Sequence, residues 1–165
     1  MPEIPIFYRL RSSYVDSLSG GMLRAVCVLL DTVTEAKVEV FVRPPDLEVV
    51  DVKASVLRGK QDKGALEPEL LGKLIGIRIG PGIKKIIRGT VGKSTPNRML
   101  GFMIEEACNA VILSFTKDVL KKVPKGKAAT VEFYSQMVKE NIRLYNRCAA
   151  FAPGSTLVEG LKPPI

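Results

Sequence analysis

The sequence predicts a single α+β domain, an antiparallel sheet of about three strands followed by helices packed on one face. Three observations carry that expectation. Strand-type alternation fills the early chain, 3.6-residue periodicity begins near Pro96, and the two patterns never interleave. Strands followed by helices favour an α+β layout over a parallel α/β one. With 165 residues, 46% of them hydrophobic, the chain is long enough for one compact domain with a core. No internal repeat and no second domain is visible, so residues 1–165 are read as one unit.

The elements follow in order. Met22–Leu30 is rich in strand formers, and Glu35–Val42 alternates polar and apolar residues around Val38, Val40 and Val42. Asp46–Val56 follows after Pro44-Pro45. The short links, Asp31-Thr32 and the prolyl corner, predict an antiparallel meander with one buried face. Residues 1–21 form an N-terminal extension in which Phe7, Tyr8 and Leu10 either add a strand or pack on the sheet edge. Gly59–Gly64 reads as a charged loop. Glu67–Ile75 reads as a short helix with Pro68 in its first turn, and Pro81–Arg88 as a second short helix.

From Pro96 onward, Leu100, Met103, Ile104, Ala107, Cys108, Val111, Ile112 and Phe115 recur on one helical face. Thr95 suits the N-cap and Pro96 the first helical position. The helix is expected to reach Lys121 or Lys122, whose charges favour the negative end of its dipole. Pro124 and Gly126 then break the chain. A last helix over 128–150 is expected to carry Tyr134, Met137, Val138, Tyr145 and Cys148 on one face. The Pro-rich tail, 153–165, is expected to be irregular.

Composition narrows the function. No stretch of about 18 uncharged apolar residues exists, and the most apolar run, Met99–Phe115, carries Glu105 and Glu106. No membrane association is expected. The N-terminus has neither a basic n-region nor an apolar h-region. With three cysteines and no export signal, a cytoplasmic protein without disulfides is expected. Histidine is absent, which removes the commonest general base and metal ligand. The net charge of +8 is uneven: residues 1–51 hold 5 basic and 8 acidic groups, and residues 52–165 hold 20 and 9. A basic half can attract nucleic acid, anionic metabolites or an acidic partner.

Gly92-Lys93-Ser94-Thr95 matches the tail of a nucleotide-binding P-loop. That motif needs a glycine five positions before Gly92, and the residue there is Ile87; the nearest glycine, Gly89, makes the loop two residues too short. The preceding Ile83–Arg88 reads as helix rather than strand, so a nucleotide hydrolase is not expected. A second reading is an anion site at a helix entrance, built from Gly92, Lys93, Ser94, Thr95 and Arg98 with Lys84, Lys85 and Arg88 beside them. No acidic residue lies between Gly76 and Met103. Cys27, Cys108 and Cys148 read as buried structural thiols, since their spacings match no local metal motif. Glu105 and Glu106 are helix neighbours that point to different sides and form no catalytic dyad.

Asp51-Val-Lys-Ala-Ser55, Leu74-Ile-Gly-Ile-Arg-Ile-Gly-Pro-Gly82 and Arg88-Gly-Thr-Val-Gly92 together resemble domain-of-unknown-function family twenty-eight eighty-nine. The resemblance covers roughly 22–120. Where that family opens its helix with Cys-Thr-His-Leu, this chain has Lys93-Ser94-Thr95-Pro96, and the family's earlier cysteine has no match in Arg58–Gly64. The stretch Leu71–Phe115 is also similar in pattern to the iron–sulfur cluster scaffold and sulfur-acceptor fold, without its cysteine ligands. A helix entrance lowers a thiolate's pKa and readies it for metal, whereas Lys93 there favours an anion. The expectation is a non-catalytic binding or accessory protein, without cofactor or metal, that recognises an anion or an acidic partner near Lys84–Arg98. The alternatives are a divergent iron–sulfur or metal carrier whose thiols converge, and a nucleic-acid binder. Sheet edges and apolar helices leave a homodimer open.

Overall fold

The early chain forms four long strands: β1 (Arg9–Ser17), β2 (Leu23–Asp31), β3 (Glu35–Arg43) and β4 (Glu48–Arg58). In the computed structural model, which describes residues 6–59, 64–65, 67–93, 97–115, 121 and 130–162, they pair antiparallel in sequence order. A two-residue strand, β5 (Gly64–Ala65), closes against Ser55 and Val56. The meander is as expected, but the sheet has a fourth long strand rather than about three. The extra one, β1, comes from the N-terminal extension. Its helix-facing positions are Arg9, Arg11, Ser13 and Val15, so it lacks the apolar alternation that marks a half-buried strand.

One face of the sheet is buried. Ala25, Cys27 and Leu29 of β2, Ala36, Val38, Val40 and Val42 of β3, and Val52, Ala54 and Val56 of β4 all point into it. A register shift between Phe41 and Val42 lets Val49 join Val52 on the inner face although they are three apart. Before β4, the chain turns through a cis Pro44–Pro45 bond, and Leu47 holds a left-handed φ of 56° while its side chain is buried.

Helices cover that face. α1 (Pro68–Gly72) opens with Pro68 at its start, and α2 (Ile83–Thr90) buries Ile83 and Ile87 while exposing Lys84 and Lys85. α3 (Arg98–Ser114) crosses β1, β2 and β3 and buries Leu100, Met103, Ile104, Ala107, Cys108, Val111 and Ile112, the stripe read from the sequence. Asn97, at its N-cap position, makes no side-chain capping hydrogen bond. A missing cap costs about 1 kcal/mol, whereas each fully buried Leu, Ile or Met contributes roughly 1.5–3 kcal/mol, so packing rather than capping holds α3. Among the described residues no helix is long and apolar enough to cross a membrane.

Three boundaries differ from expectation. α3 begins at Arg98, because Asn97 already carries near-helical angles (φ −89°, ψ −9°) and its carbonyl accepts the Gly101 N–H at 2.8 Å. The proposed cap Thr95 and Pro96 lie outside the described residues. α3 ends at Ser114 rather than near Lys121; the Phe115 N–H bonds back to Ile112. The last helix, α4 (Val131–Glu140), is capped by Thr130 and stops at Asn141, whose φ −131° and ψ 77° leave the helical region. Beyond it the chain runs in short 3-10 turns, with Asn146 left-handed. Cys148 is consequently exposed rather than on a buried helical face. The tail is irregular but anchored: Val158 is buried, and Arg147 donates to the Gly80 carbonyl at 2.8 Å.

One end of the sheet is tied together by Asp31. Its carboxylate accepts the Val33 and Thr34 N–H groups at 2.9 and 2.6 Å and the Arg9 guanidinium at 2.8 and 3.1 Å, while Arg58 of β4 donates to the Asp31 and Thr32 carbonyls. One buried carboxylate thus shapes the β2–β3 turn and holds β1 against it. The Val33 N–H first, then Arg9 and the Thr34 N–H, hold its pKa below the ordinary aspartate value. A depressed folded pKa gives stability that is present above the unfolded pKa of about 3.9 and is lost as pH falls through the folded value. Asp31→Asn is therefore expected to lower the melting temperature at pH 7. The gap to wild type should narrow as pH is taken from about 5 towards 2; a gap that stays constant in thermal unfolding across that range would show that the charge of Asp31 is not what stabilises the turn.

Candidate functional site

The basic segment forms a corner between α2 and α3. Gly82 enters α2 with a φ of 86°, a conformation that favours glycine. After α2 a 3-10 turn, Val91–Lys93, carries the chain towards α3. A Cβ on Gly101 would stand 3.3 Å from the Gly92 Cα and 3.4 Å from its nitrogen. The two glycines therefore let the turn approach the first turn of α3 closely. That approach brings Arg88 over Glu105, in a bidentate pair with Nε–Oε1 at 2.7 Å and Nη2–Oε2 at 3.1 Å. Glu105 is only 7% exposed although it is charged. Its hydrogen bond and charge raise the pKa of Arg88. A hollow of about 410 Å³ opens here, lined by Arg88, Gly92, Arg98, Gly101, Phe102 and Glu105.

Of the residues singled out in the sequence, the fold brings Arg88, Gly92 and Arg98 to this hollow. Lys84 and Lys85 precede Arg88 by four and three positions on exposed parts of α2, and Lys93 is exposed at the end of the 3-10 turn; none of the three lines the hollow. Ser94 and Thr95 lie outside the described residues. Among the described residues Lys84, Lys85, Lys93 and Arg98 enter no ion pair. The sequence reading missed the counter-ion: Glu105 lies just beyond the acid-free window. Its signal was a carboxylate one position from the apolar stripe of α3, where burial demands a partner. Phe102 is also taken, by the Arg11 guanidinium 4.6 Å from its ring centre.

Gly92-Lys93 follows a helix, Ile83–Thr90, and not the buried strand that a phosphate-wrapping loop needs. The thiols do not share a site. Cys27 and Cys108 lie in the core, and burial pushes their pKa up to about 11 and about 12, while Cys148 is exposed. Among the described residues no group of three or more His, Cys, Asp or Glu side chains could hold a metal ion.

A larger cleft, about 1100 Å³, lies elsewhere, between the prolyl corner, the end of α3 and α4. Pro44, Pro45, Leu47, Ile112, Phe115, Phe133 and Met137 give it an apolar wall, and Glu132, Gln136, Glu140, Asn141 and Arg143 a polar rim. No sequence reading pointed to it, because its walls come from segments far apart in the chain. Both Phe115 and Thr130 adjoin the stretch 116–129, which apart from Lys121 lies outside the described residues.

No protein-family model, no curated protein and no solved structure matches the chain.

Two outcomes follow from this packing. Gly101→Val is expected to destabilise the protein by about 1–3 kcal/mol through overpacking against the Gly92 backbone. Gly101→Ala should be close to neutral in chemical denaturation, because a gain of about 1 kcal/mol in helix propensity offsets the tight contact. For the thiols, native protein treated with a maleimide at neutral pH should gain one adduct, at Cys148, and denatured protein three, one per cysteine. Native labelling of Cys27 or Cys108, read by peptide mass spectrometry, would contradict their burial.

Proposed function

We propose that this is a non-catalytic binding protein whose α2–α3 corner recognises an acidic protein surface. The observation that carries the reading is the arrangement of charge: Lys84, Lys85, Lys93 and Arg98 have no ion-pair partner among the described residues, while Arg88 is clamped by Glu105. A small anion in the hollow would meet Arg98 and an Arg88–Glu105 pair that carries no net charge. It would also face the Glu105 carboxylate. A broad acidic surface instead meets cations spread along α2 and the turn after it, an arrangement suited to electrostatic complementarity. The mutual neutralisation of Arg88 and Glu105 leaves no free acid–base pair among the described residues of the corner, which supports a binding role over a catalytic one.

The other readings have less support. An iron–sulfur or metal carrier needs thiolates that meet, and Cys27 and Cys108 are core thiols held protonated by burial. A nucleic-acid interface gains from aromatic platforms, and Phe102, the aromatic residue at the hollow, lies under Arg11. We also propose, on the residues at 51–55, 74–82 and 88–92 alone, that the chain is a divergent member of family twenty-eight eighty-nine, with Lys93-Ser94-Thr95-Pro96 at the position of that family's Cys-Thr-His-Leu.

Fluorescence anisotropy with a labelled poly-glutamate peptide tests this. Wild type should bind it at low salt, and Lys84→Glu/Lys85→Glu or Lys93→Glu/Arg98→Glu should each weaken binding by about tenfold or more, with stronger salt dependence in wild type. Inorganic phosphate should not compete at millimolar concentration. Equal binding by wild type and both variants, or none by wild type, overturns the proposal; tighter binding of a short DNA duplex than of the peptide would replace it with the nucleic-acid reading.

A further inference from the structure

The two edges of the sheet are treated differently. Along β4, Val49 exchanges hydrogen bonds with Ile77 and Gly76 at 2.8 Å, Ile79 donates to Leu47 at 2.9 Å, and β5 pairs with Ser55 and Val56. That edge is covered by chain. Along β1, among the described residues, nothing pairs with the outer side. β1 is nine residues long, has no proline and pairs with β2 without a register shift. Of the devices that keep an edge from pairing, β1 lacks short length, bulges and prolines; it has inward-facing charges, Arg9 and Arg11, and both are held by acids of the same copy.

Its hydrogen-bond phase is fixed. Thr32 donates to the Tyr8 carbonyl at 3.1 Å, and Leu18 donates to the Met22 carbonyl at 2.8 Å. In an antiparallel ladder the groups alternate in direction. The even-numbered residues of β1 therefore turn their N–H and C=O towards β2. Arg9, Arg11, Ser13, Val15 and Ser17 turn theirs outward.

We propose that β1 pairs with β1 of a second copy of this chain, antiparallel about a two-fold axis at Ser13, so that two sheets become one. A two-fold axis normal to the sheet keeps both helix layers on the same side and sets odd residues opposite odd residues. With the axis at Ser13, Ser13 faces its own copy, Arg11 faces Val15 and Arg9 faces Ser17. The five outward-facing residues of each copy then make about ten backbone hydrogen bonds, comparable to a typical interface. The register is also the one that suits the charges. Centring the axis on Arg11 would set Arg11 against itself, a like-charge pair that destabilises; centring it on Ser13 sets each arginine against a neutral residue. Both arginines are already paired within their own copy, Arg9 with Asp31 at 2.8 Å and Arg11 with Glu106 at 3.9 Å, so the new ladder leaves no charge without a partner. On the other face, exposed Leu10 and Tyr14 lie along the seam and add apolar area to it.

Analytical ultracentrifugation of the full chain should give a dimer of about twice the 18.0 kDa chain mass. Ser13→Pro removes an N–H that points away from β2, so it should yield a monomer with an unchanged circular dichroism spectrum. Should that variant unfold, cysteine cross-linking decides. In a Cys148→Ser background, Ser13→Cys sits on the axis about 5.5 Å, Cα to Cα, from its copy, within disulfide reach. It should form a covalent dimer under mild oxidation, and Ser12→Cys should not. A monomeric wild type at about 100 μM, far above the Kd of a specific dimer, overturns the proposal. So does a dimer that folded Ser13→Pro leaves intact, or cross-linking at Ser12→Cys but not Ser13→Cys. Poly-glutamate binding at the α2–α3 corner is independent of all these variants.

Discussion

A carboxylate with almost no access to solvent must be compensated, and Glu105 is that carboxylate. It sits on α3 among residues that pack on the sheet, and an unpartnered charge there would be strongly destabilising. Arg88 supplies the partner from α2, with two parallel hydrogen bonds. The pair fixes where α2 lies against α3. The Gly92–Gly101 contact sets how closely the turn between them can approach. It also decides the chemistry of the corner. A guanidinium already holding a carboxylate is a poor site for a small anion, and the free positive charge is left on the lysines outside the hollow and on Arg98.

The sheet shows the same logic at the β2–β3 turn. Asp31 is 1% exposed and is satisfied by two turn amides and Arg9. Arg9 is thereby tied to β2 and turned into a structural residue, although it lies on an exposed strand. Arg11 is similarly engaged by Glu106 and Phe102. The positive charge of β1 is thus spent internally. Among the described residues nothing pairs with its outer edge, while the opposite edge is covered by the 76–79 segment and β5. The basic corner and the β1 edge adjoin at Phe102, which lines the hollow and lies under Arg11 of β1.

Much of the fold was readable because local periodicity reports burial directly. The alternation around Val38, Val40 and Val42 gave β3, and the recurrence from Leu100 to Ile112 gave the buried face of α3. For β1 the sequence left two readings open, a further strand or packing on the sheet edge, because its helix-facing side carries Arg9, Arg11 and Ser13. The two arginines are satisfied by partners 22 and 95 positions away rather than by a core; Arg9 reaches Asp31 and Arg11 reaches Glu106. The end of α4 was also misplaced. Backbone angles at Asn141 and Asn146 interrupt a helical pattern that the side chains alone would continue.

The sequence by itself determined the α+β order, the apolar faces of sheet and helix, the misfit of Gly92–Thr95 to a P-loop, and the excess of positive charge in the later chain. Those properties depend on neighbours within about one turn or one hairpin, so they are written in spacing. Only the tertiary structure decided that Arg88 is neutralised by Glu105, that the thiols are divided between core and surface, that a cleft opens beside the prolyl corner, and that among the described residues nothing pairs with the outer side of β1. Each of these depends on which distant side chains or strands meet, and burial and pairing across such distances leave no periodic trace in the chain.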